Sequence, residues 1–344
     1  RGKMTCARVP GKVILTGEHA VVYGVASLAL ALDHHAVAKI TPASRPGLCL
    51  TLSDLGCQKY YSLSELQQLL SDISDRYQAW QSQRLSLSEV LQQHEYLHAW
   101  ALASWLFSQP KANQHLAINL RISANLCAGM GTSAATVAAA LLALSHHQGQ
   151  PLKHPQLIEQ VTASEQLQHG RSSGLDPSAC ILGGMIHFID GKVTATSLPK
   201  SDCWLLIDTG HPLCSTGACV EAVANLKLPS SAWLPWHDLT ATWQIVLANQ
   251  AVAEYVHLLR HNHRLLQSLG VVPQKVAGLI NQLELDGGGA KICGAGAIAG
   301  DAAGLVLACS GLKPVEPLVQ RARAWGYRCW PLVPAAKGAS VVAM

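Results

Sequence analysis

The chain carries little charge for its length. Of its 344 residues, 25 are Lys or Arg and 21 are Asp or Glu, a charged fraction of 13% with a formal net charge of +4. That excess is too small and too dispersed for a nucleic-acid surface, and no basic run or aromatic-interleaved patch concentrates it. The 11 cysteines form an odd, scattered set with no C-x-x-C pair and no Cys/His ligand cluster, which argues against a disulfide framework or a structural zinc site. Internal repeats and low-complexity tracts are missing. The first residues have no apolar core of signal-peptide length, and the longest apolar tracts, 134–144 and the glycine-broken 292–309, are too short or too glycine-rich to span a bilayer. The expectation is a soluble, reduced, cytoplasmic protein with neither nucleic acid nor membrane as partner.

What is present is apolar and glycine-rich: 49% hydrophobic residues and 28 glycines, the composition of a well-buried globular protein long enough for two domains. The first half alternates short β-type runs at 13–15, 26–32, 36–41 and 48–52 with a long Gln/Leu-rich region at 63–109. A strand at 115–122 then feeds a glycine loop and an apolar helix at 137–146. Helix signals return at 155–168, a Gly/Ser turn follows at 170–174, and 184–190 with 193–197 reads as a strand pair around Asp190-Gly191. A strand at 203–208 opens a second section with helices over 231–269 and 273–285. Its tail repeats strand and helix at 291–294, 305–308, 314–325, 329–333 and 339–343. The rhythm places a boundary near Lys200, giving domains 1–200 and 201–344 of α+β type.

Four segments carry candidate chemistry. Asn125-Leu-Cys-Ala-Gly-Met-Gly-Thr-Ser-Ala-Ala-Thr136 joins flexible glycines, two hydroxyls and the free amides of a helix start, a natural seat for a phosphate chain. It has neither the lysine of G-x-x-x-x-G-K-[ST] nor the spacing of G-x-G-x-x-G. Thr132-Ser133 would also serve as a plain helix cap. Val9-Pro-Gly-Lys-Val-Ile-Leu-Thr-Gly-Glu-His-Ala-Val-Val-Tyr-Gly24 sets a lysine, a glutamate and a histidine between glycines, able to neutralise phosphate and hold a polar substrate, or to form an ordinary surface hairpin. Glu165-Gln-Leu-Gln-His-Gly-Arg-Ser-Ser-Gly-Leu-Asp-Pro177 places carboxylates on either side of a turn, where they can divide the roles of metal ligand and base. His169 and Arg171 in that turn read as surface residues. Lys291-Ile-Cys-Gly-Ala-Gly-Ala-Ile-Ala-Gly-Asp-Ala-Ala-Gly304 is a second glycine-dense loop, suited to close backbone approach or to packing against the first domain.

In this order the four segments resemble the GHMP kinase superfamily, with the mevalonate kinase family the best match within it. Pro10 to Gly24 is similar to the first motif of that family, Gly129-Met-Gly-Thr-Ser-Ala-Ala135 to G-L-G-S-S-A-A, and His169-Gly-Arg-Ser-Ser-Gly-Leu-Asp176 to H-G-x-P-S-G-x-D. Ile207-Asp-Thr-Gly-x4-Ser-Thr216 is similar to the strand and helix start that follow. The resemblance spans most of the chain, with its clearest gap at about 56–111. It implies a two-domain α+β GHMP kinase fold, with an N-terminal ribosomal-protein-S5-domain-2-like domain and a C-terminal ferredoxin-like domain. It also implies an ATP- and Mg²⁺-dependent transfer to the 5-hydroxyl of mevalonate, giving 5-phosphomevalonate for isoprenoid synthesis.

Residue by residue, the resemblance makes Asp176 the base and places Lys12 beside it to keep the carboxylate ionised and balance the transferred phosphoryl group. Cys127, Ala128, Gly129, Met130, Gly131, Thr132 and Ser133 would wrap the triphosphate, and Ser133 and Glu165 would hold Mg²⁺. Glu18 and His19, with Lys12 and Asp176, would face mevalonate. Asp54 falls near the adenine side, and a homodimer is what the family suggests. The departures are Cys293 for Thr and 297–301 for a glycine run in the last segment, Ser172 for Pro, and Asn125-Leu-Cys127 displacing a proline. They leave open another acceptor, such as phosphomevalonate or a sugar. Additional cations for a phosphorylated acceptor would come only from Arg171 and Lys337. A nucleotide-binding regulatory homologue without turnover is the reading from another class.

Overall fold

Apolar side chains at alternate positions make the first long segments extended. In the computed structural model, which describes residues 3–109, 111–112 and 115–342, β1 (Thr5–Thr16) and β2 (Ser27–Pro42) pair antiparallel at the centre of an eight-stranded sheet. β3 (Gly47–Leu52), β4 (Cys57–Tyr61), β5 (Ala117–Ala124), β6 (Met185–Ile189) and β7 (Lys192–Ala195) extend it. Its helices are α1 (Leu63–Gln81), α2 (Tyr96–Ser108), α3 (Thr132–His147), α4 (His154–His169) and α5 (Leu175–Leu182). The second section builds β8 (Trp204–Asp208), β9 (Gly289–Ile292), β10 (Leu305–Cys309) and β11 (Arg328–Pro331) into an antiparallel sheet of order β11-β8-β10-β9. Around it lie α6 (Thr216–Asn225), α7 (Leu234–Ala248), α8 (Tyr255–Ser268), α9 (Gln274–Leu285) and α10 (Glu316–Ala324). A final strand, β12 (Ser340–Val342), crosses back to pair with β1, so the chain ends on the sheet where it began. This is a two-domain α+β architecture.

The two long strands serve both cores. Ala7 and Val9 of β1, with Ala36, Ala38 and Ile40 of β2, pack among the helices of the first domain. Further along, Val13 and Leu15 with Leu28, Leu30 and Leu32 join Trp204, Leu206 and Leu307 of the second sheet. Two strands are expected at 26–32 and 36–41, yet β2 runs unbroken between them. Asp33-His34-His35 contains no glycine or proline to turn the chain. Instead Arg8 on β1 reaches Asp33 at 3.3 Å and His35 at 2.9 Å, and the Asp33 amide bonds to Val333 O. The expected strand at 339–343 is β12; Ala343 lies outside the described residues.

α3 is buried from Ala134 through Ser145 on every side. A helix apolar all round belongs in a core, and its alanines let β1, β2 and the flanking helices approach closely. Its start is therefore fixed in space, at the point where both domains meet. Among the described residues no helix is long and apolar enough to cross a membrane.

Candidate active site

The glycine loop is clamped between the two domains. From the first, the Lys12 amide donates to Met130 O at 2.8 Å; from the second, the Leu305 amide donates to Ala128 O at 2.8 Å. Met130 is driven into the core beneath the loop, so the loop offers its backbone to a ligand and not this side chain. Gly131 caps α3 at φ 69°, a left-handed conformation that glycine adopts without strain. A Cβ there would stand 3.0 Å from Lys12 Cε, and one at Gly129 only 2.8 Å from Cys293 O. The loop can thus lie flat against both neighbours only with glycine at these positions. The first amides of α3 have no intrahelical acceptor, and among the described residues those of Gly131, Thr132 and Ser133 bond to no other protein oxygen. Burial pushes the Cys127 thiol up to about 12, so it is no thiolate near neutral pH.

Lys12 is 1% exposed, and its ammonium lies 3.3 Å from Asp176 Oδ1 and 3.2 Å from Gly129 O. Burial works to lower its pKa, but Asp176, by charge and hydrogen bond, together with Cys180 and Cys293 outweighs that effect and holds it above the usual lysine value. Asp176, in the first turn of α5, keeps 35% of its side chain open to solvent. One carboxylate oxygen is therefore tied to a fixed cation while the group stays accessible.

That accessible side faces a compact cavity of about 110 Å³. Asp176, Glu18, His19, Glu165, His169 and Arg171 line it together with apolar Ile14, Val21, Val22, Leu175 and Val220. Glu18 is buried, with Oε1 held by the Lys291 ammonium and Oε2 without a partner among the described residues. Burial pushes its carboxyl above the usual range, against the pull of Lys291. His19, at φ 60°, donates Nε2–H to Ala295 O at 2.9 Å, and burial lowers its pKa, which fixes a neutral ring with the proton on Nε2. His169 donates Nε2–H to Glu165 Oε2 at 3.2 Å one helical turn away. Burial works against its charge, yet that hydrogen bond and the nearby carboxylates raise its pKa.

A second, larger cavity of about 770 Å³ is lined by Thr132, Ser133, Asp54, Leu55, His98 and His211 among others. Asp54 is anchored there by accepting the Ala124 amide at 2.7 Å. The start of α3 thus lines the large cavity, and Asp176, paired with Lys12, lines the small one. Glu165 Oε1 is buried and unpartnered, and a carboxylate oxygen with a serine hydroxyl is a donor set that magnesium takes. Ser133 and Glu165 nevertheless line different cavities. Among the described residues, no three His, Cys, Asp or Glu side chains gather as a ready metal site.

The small cavity is lined by two side chains that the sequence presents as surface residues. His169 is turned inward because it follows Glu165 by one helical turn on α4, a spacing legible in the sequence; Arg171 borders the same pocket. Lys291 was legible only as a lone charge in an otherwise apolar strand. Of the two readings of the last glycine segment, the structure shows packing against the first domain, with Cys293 O against Gly129; Gly294 and Ala295 line the small cavity.

Comparison with known proteins points the same way. Residues 98–184 match the family described as GHMP kinases N terminal domain. Mevalonate kinase of Pyrococcus furiosus is 27% identical over 306 residues, covering 84% of this chain and 86% of that protein. Human mevalonate kinase is 27% identical over 373 residues, covering 96% and 93%. Among solved structures, Methanococcus jannaschii mevalonate kinase superposes with a TM-score of 0.78 at 20% identity, covering 97% of this chain and 99% of that one. Lactococcus lactis galactokinase, complexed with galactose, gives 0.76 at 13% identity over 98% and 95%. With the glycine loop at a helix start and the buried Lys12–Asp176 pair, residues 98–184 carry the N-terminal domain of the GHMP kinases, and the chain as a whole is similar to mevalonate kinases.

Proposed function

We propose that this protein is an ATP-dependent kinase that phosphorylates the 5-hydroxyl of mevalonate, with an N-terminal domain of the ribosomal-protein-S5-domain-2-like type and a ferredoxin-like C-terminal domain. The observation that carries the reaction type is the Lys12–Asp176 pair, with Asp176 on the wall of the small cavity and the Lys12 stem against Gly131 of the glycine loop. The observation that favours mevalonate over a sugar is the mixed lining of the small cavity. Ile14, Val21, Val22, Leu175 and Val220 suit a methyl-branched chain, while Arg171 offers a cation to a carboxylate. A sugar presents hydroxyls on nearly every carbon and would leave them against that apolar wall.

In this reading the triphosphate lies on the amides of Gly131, Thr132 and Ser133, with the base of the nucleotide in the large cavity near Asp54. Asp176 accepts the proton of the acceptor hydroxyl as its oxygen bonds to the γ-phosphorus and the bond to the β,γ-bridging oxygen breaks, leaving ADP. Lys12, fixed by Asp176 and Gly129 O, is in place before the reaction and needs no reorganisation to balance charge on the transferred group. Ser133 and Glu165 would hold Mg²⁺, which supplies neutralisation of phosphate charge. Binding both substrates against rigid elements makes positioning the main contribution. The test is ADP release with Mg²⁺ on mevalonate, phosphomevalonate, galactose and homoserine. Turnover of mevalonate alone supports the reading, activity on another member replaces the substrate, and silence on all four despite ATP binding points to a regulatory homologue.

A further inference from the structure

Lys291 is a buried charge that the reaction does not use. It lies on β9, whose four residues are all buried, and is itself 0% exposed. Its ammonium donates to Ile14 O at 2.7 Å, to Ile292 O at 2.9 Å and to Glu18 Oε1. All three of its protons are thus committed, two of them across the domain boundary. Glu18 is 1% exposed and lines the small cavity. With Oε1 held, its Oε2 remains buried and without a partner among the described residues. A buried carboxylate oxygen left bare is costly, and a hydroxyl arriving with a bound molecule relieves that cost.

We propose that Lys291 is a positioning residue that fixes Glu18 as a hydrogen-bond acceptor in the cavity, and so selects acceptors bearing a second hydroxyl besides the one phosphorylated. The inference rests on the function proposed above and extends it to the discrimination of the acceptor. The opposite domain sets this preference: β9 supplies Lys291, and Ala295, three residues beyond β9, holds His19 in the same cavity. A site built to accept a hydroxyl rejects the analogue lacking it, because its own oxygen is then left unpaired. An ion pair that merely joins the domains would not discriminate between acceptors.

The experiment compares kcat/KM for mevalonate and for 5-hydroxy-3-methylpentanoate, which lacks only the 3-hydroxyl. The wild-type enzyme is expected to prefer mevalonate by roughly ten- to a hundredfold, the effect of one hydrogen bond to a charged group. Lys291→Met and Glu18→Ala are each expected to bring that ratio near one, and Lys291→Arg to recover part of it. Lys291→Gln serves the same comparison where Lys291→Met does not fold. An active Lys291 variant that loses activity equally on both acceptors, with the ratio unchanged, overturns the inference and leaves a structural strut. A wild-type ratio near one also overturns it. Wild-type turnover of neither acceptor overturns the proposed function, and the inference with it.

Discussion

Replacing Lys12 by Met separates chemistry from folding. The side chain is 1% exposed, with its stem against Gly131 and its ammonium between Asp176 and Gly129 O. Methionine keeps most of that volume and removes the charge and its donors. Loss of one preorganised charge-stabilising group costs about 10²–10³ in kcat, or about 2.7–4 kcal/mol of barrier. The folded state loses little by comparison. Its partner carboxylate is 35% exposed, so the pair is partly screened and contributes no more than about 1 kcal/mol. Removing the desolvation of a buried ammonium offsets even that. The expected result is an ADP-release rate down by two to three orders of magnitude at an unchanged or higher melting temperature. Lys12→Arg should not rescue, since a Cβ at Gly131 would already stand 3.0 Å from the lysine stem, leaving no room for a guanidinium. Because the Lys12 pKa is raised above its ordinary 10.5, its contribution is complete below that value and is lost only as pH rises through the higher folded value. No alkaline limb from Lys12 should therefore appear between about pH 6 and 9. A Lys12→Met enzyme within about fivefold of wild-type kcat would refute the assigned role.

Asp176→Ala should keep nucleotide affinity while turnover falls by about 10²–10⁴, as expected for loss of a general base; unchanged turnover would exclude Asp176 from proton transfer. Gly131→Ala, at φ 69° and against Lys12, should cost about 1–3 kcal/mol in a denaturant titration and weaken ATP binding. His98 and His263 are buried, and desolvation lowers both to about 4 from 6.5. Each therefore adds stability that is whole above pH 6.5 and is lost as pH falls toward 4, up to about 3 kcal/mol apiece. Urea midpoints measured across that window should fall, and His98→Gln should flatten the slope; a midpoint independent of pH would contradict the neutral buried histidines.

Much of this was legible because local chemistry leaves local marks. The glycines flanking Met130, the hydroxyls of Thr132 and Ser133 and the alanine-rich run behind them announce a strand, loop and buried helix whatever surrounds them. The strand pair at Asp190-Gly191 and the helix expected at 155–168 are equally local. The unbroken β2 was not legible, because its extended Asp33-His34-His35 depends on Arg8 of the neighbouring strand and on Val333. The inward turn of His169 could be inferred only from its spacing to Glu165, which by itself also describes a solvated helix face.

By itself, the sequence determined the residue types available for phosphoryl transfer and the positions of the glycines around them. Tertiary structure alone decided which of these groups meet. It buried Lys12 against Asp176, 3.3 Å away, and joined Lys291 to Glu18 across 273 residues of chain. The physical reason is that periodicity and turn chemistry act over a few residues, whereas burial and ion pairing depend on which distant strands the core brings together.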